Sequence, residues 1–415
     1  MSIGYACLLY GAGVPKFKSC VLKNATPEKL RELIKHNLSI LAEILDYNAG
    51  NNIRLFRLSS DIIPFASHPV NDLRWWEEFF EEFSLLGGKI RSTGQRVSMH
   101  PGQYTVINSP DSEVVERAIK DIEYHHRFLK ALGTDQTSKI VLHVGGIYGD
   151  KSLALLRFAE TYKKLAPEIK ERLIIENDEK SYTFADVLNL SAELGFPVVF
   201  DNLHHRLNPS FKGKSEAELI ALCAKTWKTE DGTPKIHYSQ QDPSGKKGAH
   251  SPSIATSEFL GFYHALGEDK PDIMLEVKDK NRSAIKCLLL TAPNPSLKAL
   301  EAEWARYKYL VLSYSQAHYL RIRRAFGQRT ITPRIFYSSV EEALSLEETI
   351  GNQSNAAEHV WGYFKKISTP KEKSHFQELL QAYQAGNLPF TKLKAFLWKM
   401  TLKYDEKFLL KSYYF

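Results

Sequence analysis

Six short apolar runs in this chain each end on a side chain that can bind a metal ion or move a proton. His100 closes RVSMH, His143 sits late in KIVLHV, and Glu176 ends RLIIE. Asp201 ends PVVFD with His204 and His205 just beyond it, His237 lies in PKIHYS, and Glu276 lies in DIMLEV. Taken singly, each has an ordinary explanation: a histidine at a strand end is usually a hydrogen-bonded structural residue, and an Asp or Glu there often caps the next helix. As a set they resist it. Six ionisable groups gathered at the ends of buried strands are costly unless they pair or hold metal. Imidazole and carboxylate without thiolate suit zinc or manganese. A carboxylate such as Glu176 or Asp201 can bridge two ions, which gives a multi-metal hydrolytic site.

Eight runs in all are apolar without alternation: 3–9, 53–59, 96–100, 139–144, 172–177, 197–201, 234–239 and 272–277. That pattern suits strands buried on both faces of a parallel sheet. Helical periodicity fills the gaps, beginning after Thr26-Pro27 and recurring over about 75–92, 113–132, 151–168, 183–194, 215–226, 254–266 and 281–290. Eight strand–helix units predict an α/β chain built on a (β/α)8 TIM barrel over 1–290, with the site residues sharing one rim. The prolines of Thr291-Ala-Pro-Asn-Pro predict a linker over 291–303, and an all-α domain follows over 304–415, with helices expected at about 297–326, 338–366, 370–385 and 390–412. His68, Tyr104 and His250 fall on loops after strands, and His125-His126 are expected on a helix surface. The glycine-rich LHVGGIYGDK is either a phosphate approach or a tight barrel turn.

The chain has 415 residues, a formal net charge of +7, and 43% apolar residues, enough to bury a core. Residues 291–415 hold 18 Lys and Arg against 11 Asp and Glu, so the whole excess lies there. No apolar run is long enough for a membrane span. Four scattered cysteines with no CxxC pair point to a reducing compartment and no thiolate site. The expected location is therefore the cytoplasm.

The motifs FRLSSDIIPFASHP, RVSMHPGQYTVINSPD, VLHVGGIYGDK, LIIENDEKSYTFADVL, VVFDNLHH, PKIHYSQQDP, KGAHS and MLEVKDKN closely resemble, in order, the UV damage endonuclease family (UvsE/UVDE type), relatives of endonuclease IV. The resemblance implies a TIM barrel with a divalent metal cluster, up to three manganese ions. Such a barrel nicks double-stranded damaged DNA 5′ to UV photoproducts. It implies metal ligands at His100, His143, Glu176, Asp201, His204, His237, His250 and Glu276. Catalytic roles fall to Glu176, to Lys235 (which in the family is carboxylated beside the cluster) and to His68, whose role would be DNA contact or tuning of the site. Gln103 and Tyr104 match a pair that wedges into the duplex, and Tyr5 matches a tyrosine near the lesion pocket. Leu9 departs from the polar residue common in the family near that position, which bears on lesion range. The segment from EWARYKYLVLSYSQAHYLRI onward resembles the helical YbgA-type domain of unknown function. A monomer is expected. The competing readings are an abasic-site endonuclease of the endonuclease IV kind, a sugar isomerase-like metal barrel, and a non-catalytic damage-binding module.

Overall fold

The computed structural model describes residues 1–415 and divides into two compact units. The first comprises Met1–Tyr10, Pro15–Ile254 and Gly261–Ile285; the second comprises Gly11–Val14, Ala255–Leu260 and Lys286–Phe415.

The first unit carries eight strands: β1 (Ile3–Ala6), β2 (Leu55–Arg57), β3 (Arg96–Ser98), β4 (Ile140–His143), β5 (Leu173–Glu176), β6 (Val198–Val199), β7 (Lys235–Tyr238) and β8 (Asp272–Leu275). All pairings are parallel, in a five-stranded sheet of order β3-β2-β1-β8-β7 and a three-stranded sheet β4-β5-β6. Two single parallel bridges, Met99 to Ile140 and Asp201 to His237, join the sheets at both seams, so the ring of eight closes as the alternation of elements predicts. Gly4 is required where β1 meets β2: a Cβ there would lie 1.8 Å from the Leu55 carbonyl oxygen.

Strand parity sorts the side chains into layers. Val141, Ile174 and Val199 pack with Trp227, and Ala6, Leu55 and Met274 form a second interior cluster. Two residues further along the same strands come His143, Glu176, Asp201, Arg57 and Glu276. Near Trp227, Arg96 donates to Asp272 and to the Thr137 and Asp231 carbonyls, and its guanidinium lies over the Trp227 ring. The apolar layer therefore lies between this ionic group and the strand ends.

The helices begin where the sequence marks them. Thr26 accepts from Lys29 N ahead of Pro27–Gly50, and Thr183–Asp186 and Ser215–Glu218 form reciprocal capping boxes. A short helix, Asn202–Leu207, follows β6 directly and was not foreseen.

The segment expected as a linker is mostly helical. One helix runs Asn281–Thr291 and the next opens at Leu297, capped by Ser296; only 292–296 is irregular, because Pro293 and Pro295 lack the amide hydrogen and constrain their predecessors. The second unit is all helical after that, with helices Leu297–Tyr314, Gln316–Gly327, Pro333–Leu344, Ile350–Trp361, Pro370–Gln384, Phe390–Lys403 and Lys407–Leu410. The single helix expected over 297–326 breaks at Ser315, whose hydroxyl instead caps the second half by accepting from His318 N. Trp361 stacks on Phe376 at 4.4 Å in one of its cores, and Phe336 and Tyr337 centre another. No helix of the chain is long and apolar enough to cross a membrane.

Candidate metal centre

Glu176 ends β5 with its side chain almost wholly buried, and histidines surround it. Its Oε2 lies 3.1 Å from His100 Nε2 and 3.5 Å from His143 Nε2; its Oε1 lies 2.7 Å from His237 Nδ1 and 3.8 Å from His204 Nδ1. Three sets of side chains could each hold an ion, and all three share this carboxylate: His100, His143 and Glu176; Glu176, Asp201 and His204; Glu176, His237 and Glu276. Seven of the eight expected ligands therefore converge.

The eighth, His250, stands on the loop after β7, half-buried, where an antiparallel bridge to Gln241 fixes it. It lies outside the three sets, although its charge acts on Glu276.

Hydrogen bonds around the rim fix the rings. His100 Nδ1–H donates to the Pro101 carbonyl at 3.0 Å, and His204 Nδ1–H donates to the Asn177 carbonyl at 2.9 Å. In its neutral form each ring so assigned carries on Nε2 the lone pair that a metal ion would take. For His100 that lone pair faces a carboxylate oxygen, so two acceptors confront each other. Three more buried atoms at the rim, His143 Nδ1, His237 Nε2 and Asp201 Oδ2, find no hydrogen-bond partner. Opposed acceptors and orphaned donor atoms in a buried set of imidazoles and carboxylates fit a cation-binding site and fit a closed hydrogen-bond network poorly.

The electrostatics follow from burial and crowding. Burial pulls the His100 imidazole down to about 4, with Arg57 and His143 adding to it against the opposing pull of Glu176. Burial also resists the cation of His204, but the Asp201 and Glu176 carboxylates outweigh it and raise that group to about 9. Burial opposes ionisation of Glu176 as well, yet His237 and His143 hold it well below the usual carboxylate range. Asp201, dominated by burial, is pushed up.

Lys235 lies on β7 two residues before His237, on the same face of the strand. Its side chain is buried and Nζ has no hydrogen-bond partner. Burial, helped by Arg96 and Arg57, pushes it down to about 7.

Arg57 was not foreseen. It ends β2 and pairs with Glu276 through Nη1, with both side chains nearly buried. Burial opposes its charge, but Glu276 holds the guanidinium firmly protonated. Its signal in the sequence was a cation at the interior parity of IRLFRLS.

The remaining expected residues divide. Gln103 and Tyr104 are exposed on the loop after β3, Tyr104 by 83%, with Thr105 behind them anchored to Asp121 at 2.6 Å. His68 is exposed on the loop after β2, where Nδ1 accepts from Val70 N, and lies outside the ligand sets. Tyr5 requires correction. It is fully buried, packs on Phe56, and donates to Asn48 of the helix Pro27–Gly50 at 2.8 Å. Its strand neighbours Gly4 and Ala6 take the interior parity, so Tyr5 faces the helix layer and not the interior of the barrel. His125 is corrected too: it is buried, 2.9 Å from Ser60 Oγ, while the Ser60 hydroxyl reaches the His100 carbonyl at 2.8 Å. Leu8 and Leu9 line a cavity of about 1,090 Å³ that also meets Ser60, Phe65 and Tyr104.

Residues 13–300 match the family model described as UV-endonuclease UvdE, and residues 308–415 match one described as a protein of unknown function, DUF1722. A UV DNA damage endonuclease of Clostridium perfringens is 41% identical over 399 residues, covering 95% of this chain and 96% of its own length. A putative UV-damage endonuclease of Acanthamoeba polyphaga mimivirus is 33% identical over 300 residues, covering 68% of this chain and 89% of its own. The crystal structure of SacUVDE aligns with a TM-score of 0.66 at 38% identity, covering 72% of this chain and 99% of that one.

Proposed function

The chain belongs to the UV-endonuclease UvdE family, and we propose that its barrel nicks the backbone of double-stranded DNA immediately 5′ to cyclobutane pyrimidine dimers and 6-4 products by multi-metal hydrolysis. The observation that carries this reading is the shared position of Glu176 in three potential ligand sets. Manganese ions, up to three, would be held by His100, His143, Glu176, Asp201, His204, His237, Glu276 and, from its loop, His250. Such ions supply a water that ionises near neutral pH and positive charge for the scissile phosphate.

The chain's own residues prepare that site. Arg57 fixes Glu276, and Asn177 holds both the His204 ring and the Asp201 backbone, accepting from Asp201 N at 2.9 Å and donating to its carbonyl at 3.1 Å. A lysine brought down to about 7 keeps a substantial neutral fraction at neutral pH. Its Nζ lone pair can form an N–C bond to carbon dioxide with loss of a proton, replacing a buried cation with a carboxylate-like group. Gln103 and Tyr104, exposed and backed by an anchored turn, would fill the duplex where the lesion nucleotides leave it. That extrusion is easiest where stacking is already damaged. His68, exposed beside the rim loops, would contact DNA rather than metal. The enzyme would act as a single chain.

The test uses manganese and end-labelled duplexes bearing a cyclobutane dimer, a 6-4 product, an abasic site or no lesion. Cutting immediately 5′ to both photoproducts, abolished by chelation, is expected. Cutting at the abasic site alone would replace this reading with an endonuclease IV-like one, and no cutting of any duplex would overturn it.

A further inference from the structure

The loop after β4, Val144–Asp150, holds an exposed aromatic side chain outside the three ligand sets. Tyr148 is 45% exposed and adopts a left-handed backbone with φ 53°. It lines a cavity of about 690 Å³ whose walls also include His143 and His204 of the candidate metal centre and Gln103 and Tyr104 of the exposed loop. Two exposed tyrosines on separate loops thus meet one cavity with metal-ligand candidates in its lining.

The loop is fixed from beneath. The Gly146 carbonyl accepts from Asn108 Nδ2 at 2.8 Å and from the Tyr182 hydroxyl at 2.9 Å, and Asn108 and Tyr182 are both fully buried. Gly145, at φ 115°, lies so close to Asn108 that a Cβ would sit 2.3 Å from its Oδ1. A Cβ on Gly146 would lie 2.8 Å from Tyr148 Cε2 and Cζ, so the hydroxyl end of the ring crowds the bare glycine. The Arg157 guanidinium lies 5.6 Å from the ring centroid, with Nε donating to the Asn108 carbonyl at 2.9 Å. A half-exposed aromatic held by a glycine, a cation and two buried donors is preorganised. Little side-chain freedom is left to lose when a flat partner covers it.

We infer that Tyr148 is a stacking platform for a nucleobase of the scissile strand, next to the phosphate that is cut. The inference rests on the nuclease reading, because the lining of the cavity identifies the strand: a phosphate at His143 and His204 leaves its neighbouring base in reach of this wall. Stacking is sequence-tolerant, since every base has a π face, so the platform would position the strand without selecting the bases beside a lesion. Tyr148 would act on the normal nucleotide and Tyr104 on the gap in the duplex.

The experiment uses the full-length, manganese-loaded protein and photoproduct duplexes in which each nucleotide flanking the cut phosphate is replaced, one at a time, by a baseless tetrahydrofuran unit. Tyr148→Ala should raise KM by roughly ten- to a hundredfold on the intact duplex, with kcat changed far less. At one replaced position wild type and Tyr148→Ala should become equal within about twofold, since no base remains there to stack. Tyr148→Phe should behave as wild type, because the hydroxyl is not part of the platform. Gly146→Ala, which displaces the ring without removing it, should resemble Tyr148→Ala. Unchanged KM in Tyr148→Ala, a Tyr148→Phe defect as large as that of Tyr148→Ala, or an equal penalty at every replaced position would overturn the platform. Wild-type protein that cuts no photoproduct duplex would overturn the nuclease reading with it, and the two failures are distinguishable by that control.

Discussion

Replacing Arg57 by Met leaves Glu276 ionised in a nearly dry barrel with its principal counter-charge gone. The two side chains are 13% and 12% exposed, so little solvent screening reduces their interaction. Removing one partner of such a pair costs about 3–5 kcal/mol, mostly the penalty of the charge left behind. His237 Nδ1, 3.1 Å from Glu276 Oε1, offsets part of this, which places the expected loss near the lower end of that range. In metal-free protein Arg57→Met should therefore lower the melting temperature by several degrees. Adding Glu276→Gln to Arg57→Met should restore most of the loss, because no buried charge then lacks a partner. The pH dependence has a definite sign. Arg57 foremost, with His237, overcomes burial to hold Glu276 below its ordinary 4.5, so the pair's contribution is present above about pH 4.5 and is lost as pH falls through the lower folded value. The gap between wild type and Arg57→Met should be full at pH 7 and narrow in acid. Manganese should narrow it too, since an ion on Glu276 replaces the missing charge. The assay is thermal unfolding followed by circular dichroism, with and without chelator. A metal-free Arg57→Met protein melting within about 1 °C of wild type, or a double variant no better than the single, would refute the reasoning.

Three further outcomes are expected. Glu176→Gln should lower nicking by more than the roughly 100-fold that loss of a ligand's supporting partner costs, and should lower bound manganese measured by atomic absorption, with the fold intact by circular dichroism. Gln103→Ala with Tyr104→Ala should keep wild-type metal content but reduce the preference for lesion over undamaged duplex about ten- to a hundredfold in a gel-shift titration. In the helical unit, Glu372 accepts from Thr369 N, from Lys403 Nζ at 2.6 Å and from the Tyr404 hydroxyl at 2.8 Å, and is held down to about 2, chiefly by Lys403. Its contribution is present above 4.5 and lost as pH falls toward 2, so Glu372→Gln should melt below wild type at pH 7 and match it near pH 2.

The strand ends were legible because one rule covers them: in a closed parallel barrel, every C-terminal strand end meets the same rim. His100, His143, Glu176, Asp201, His204, His237 and Glu276 come together for that reason. Placing Tyr5 and Arg57 takes side-chain parity as well as position along the strand. Tyr5 falls out of step with Gly4 and Ala6, and Arg57 falls in step with Leu55, so one faces the helices and the other the interior. His125 obeys the helical counterpart of the rule: Ala118, Ile122, His125 and Leu129 are spaced as one face, and all are buried. The break at Ser315 was not legible from apolar spacing, which continues across it; the signal was a capping serine three residues ahead of His318.

Charge arithmetic is the place where sequence alone misleads most. Residues 1–290 sum to zero, which suits DNA poorly if charge is spread evenly. It is not spread evenly. Glu176, Asp201 and Glu276 enter that sum as three negative charges, yet the first two are buried and the third nearly so at the rim among histidines, and Arg57 already offsets one of them. Divalent ions bound there would overturn the remainder, leaving a positive rim on a formally neutral barrel. DNA binding by the barrel would then not require the surplus of the C-terminal helices. A salt titration separates the two sources. If the rim supplies the contacts, the slope of log affinity against log salt should fall on removal of manganese and stay the same when Arg321, Arg323 and Arg324 are changed to Gln. The reverse pattern would move the DNA contact to the helical unit.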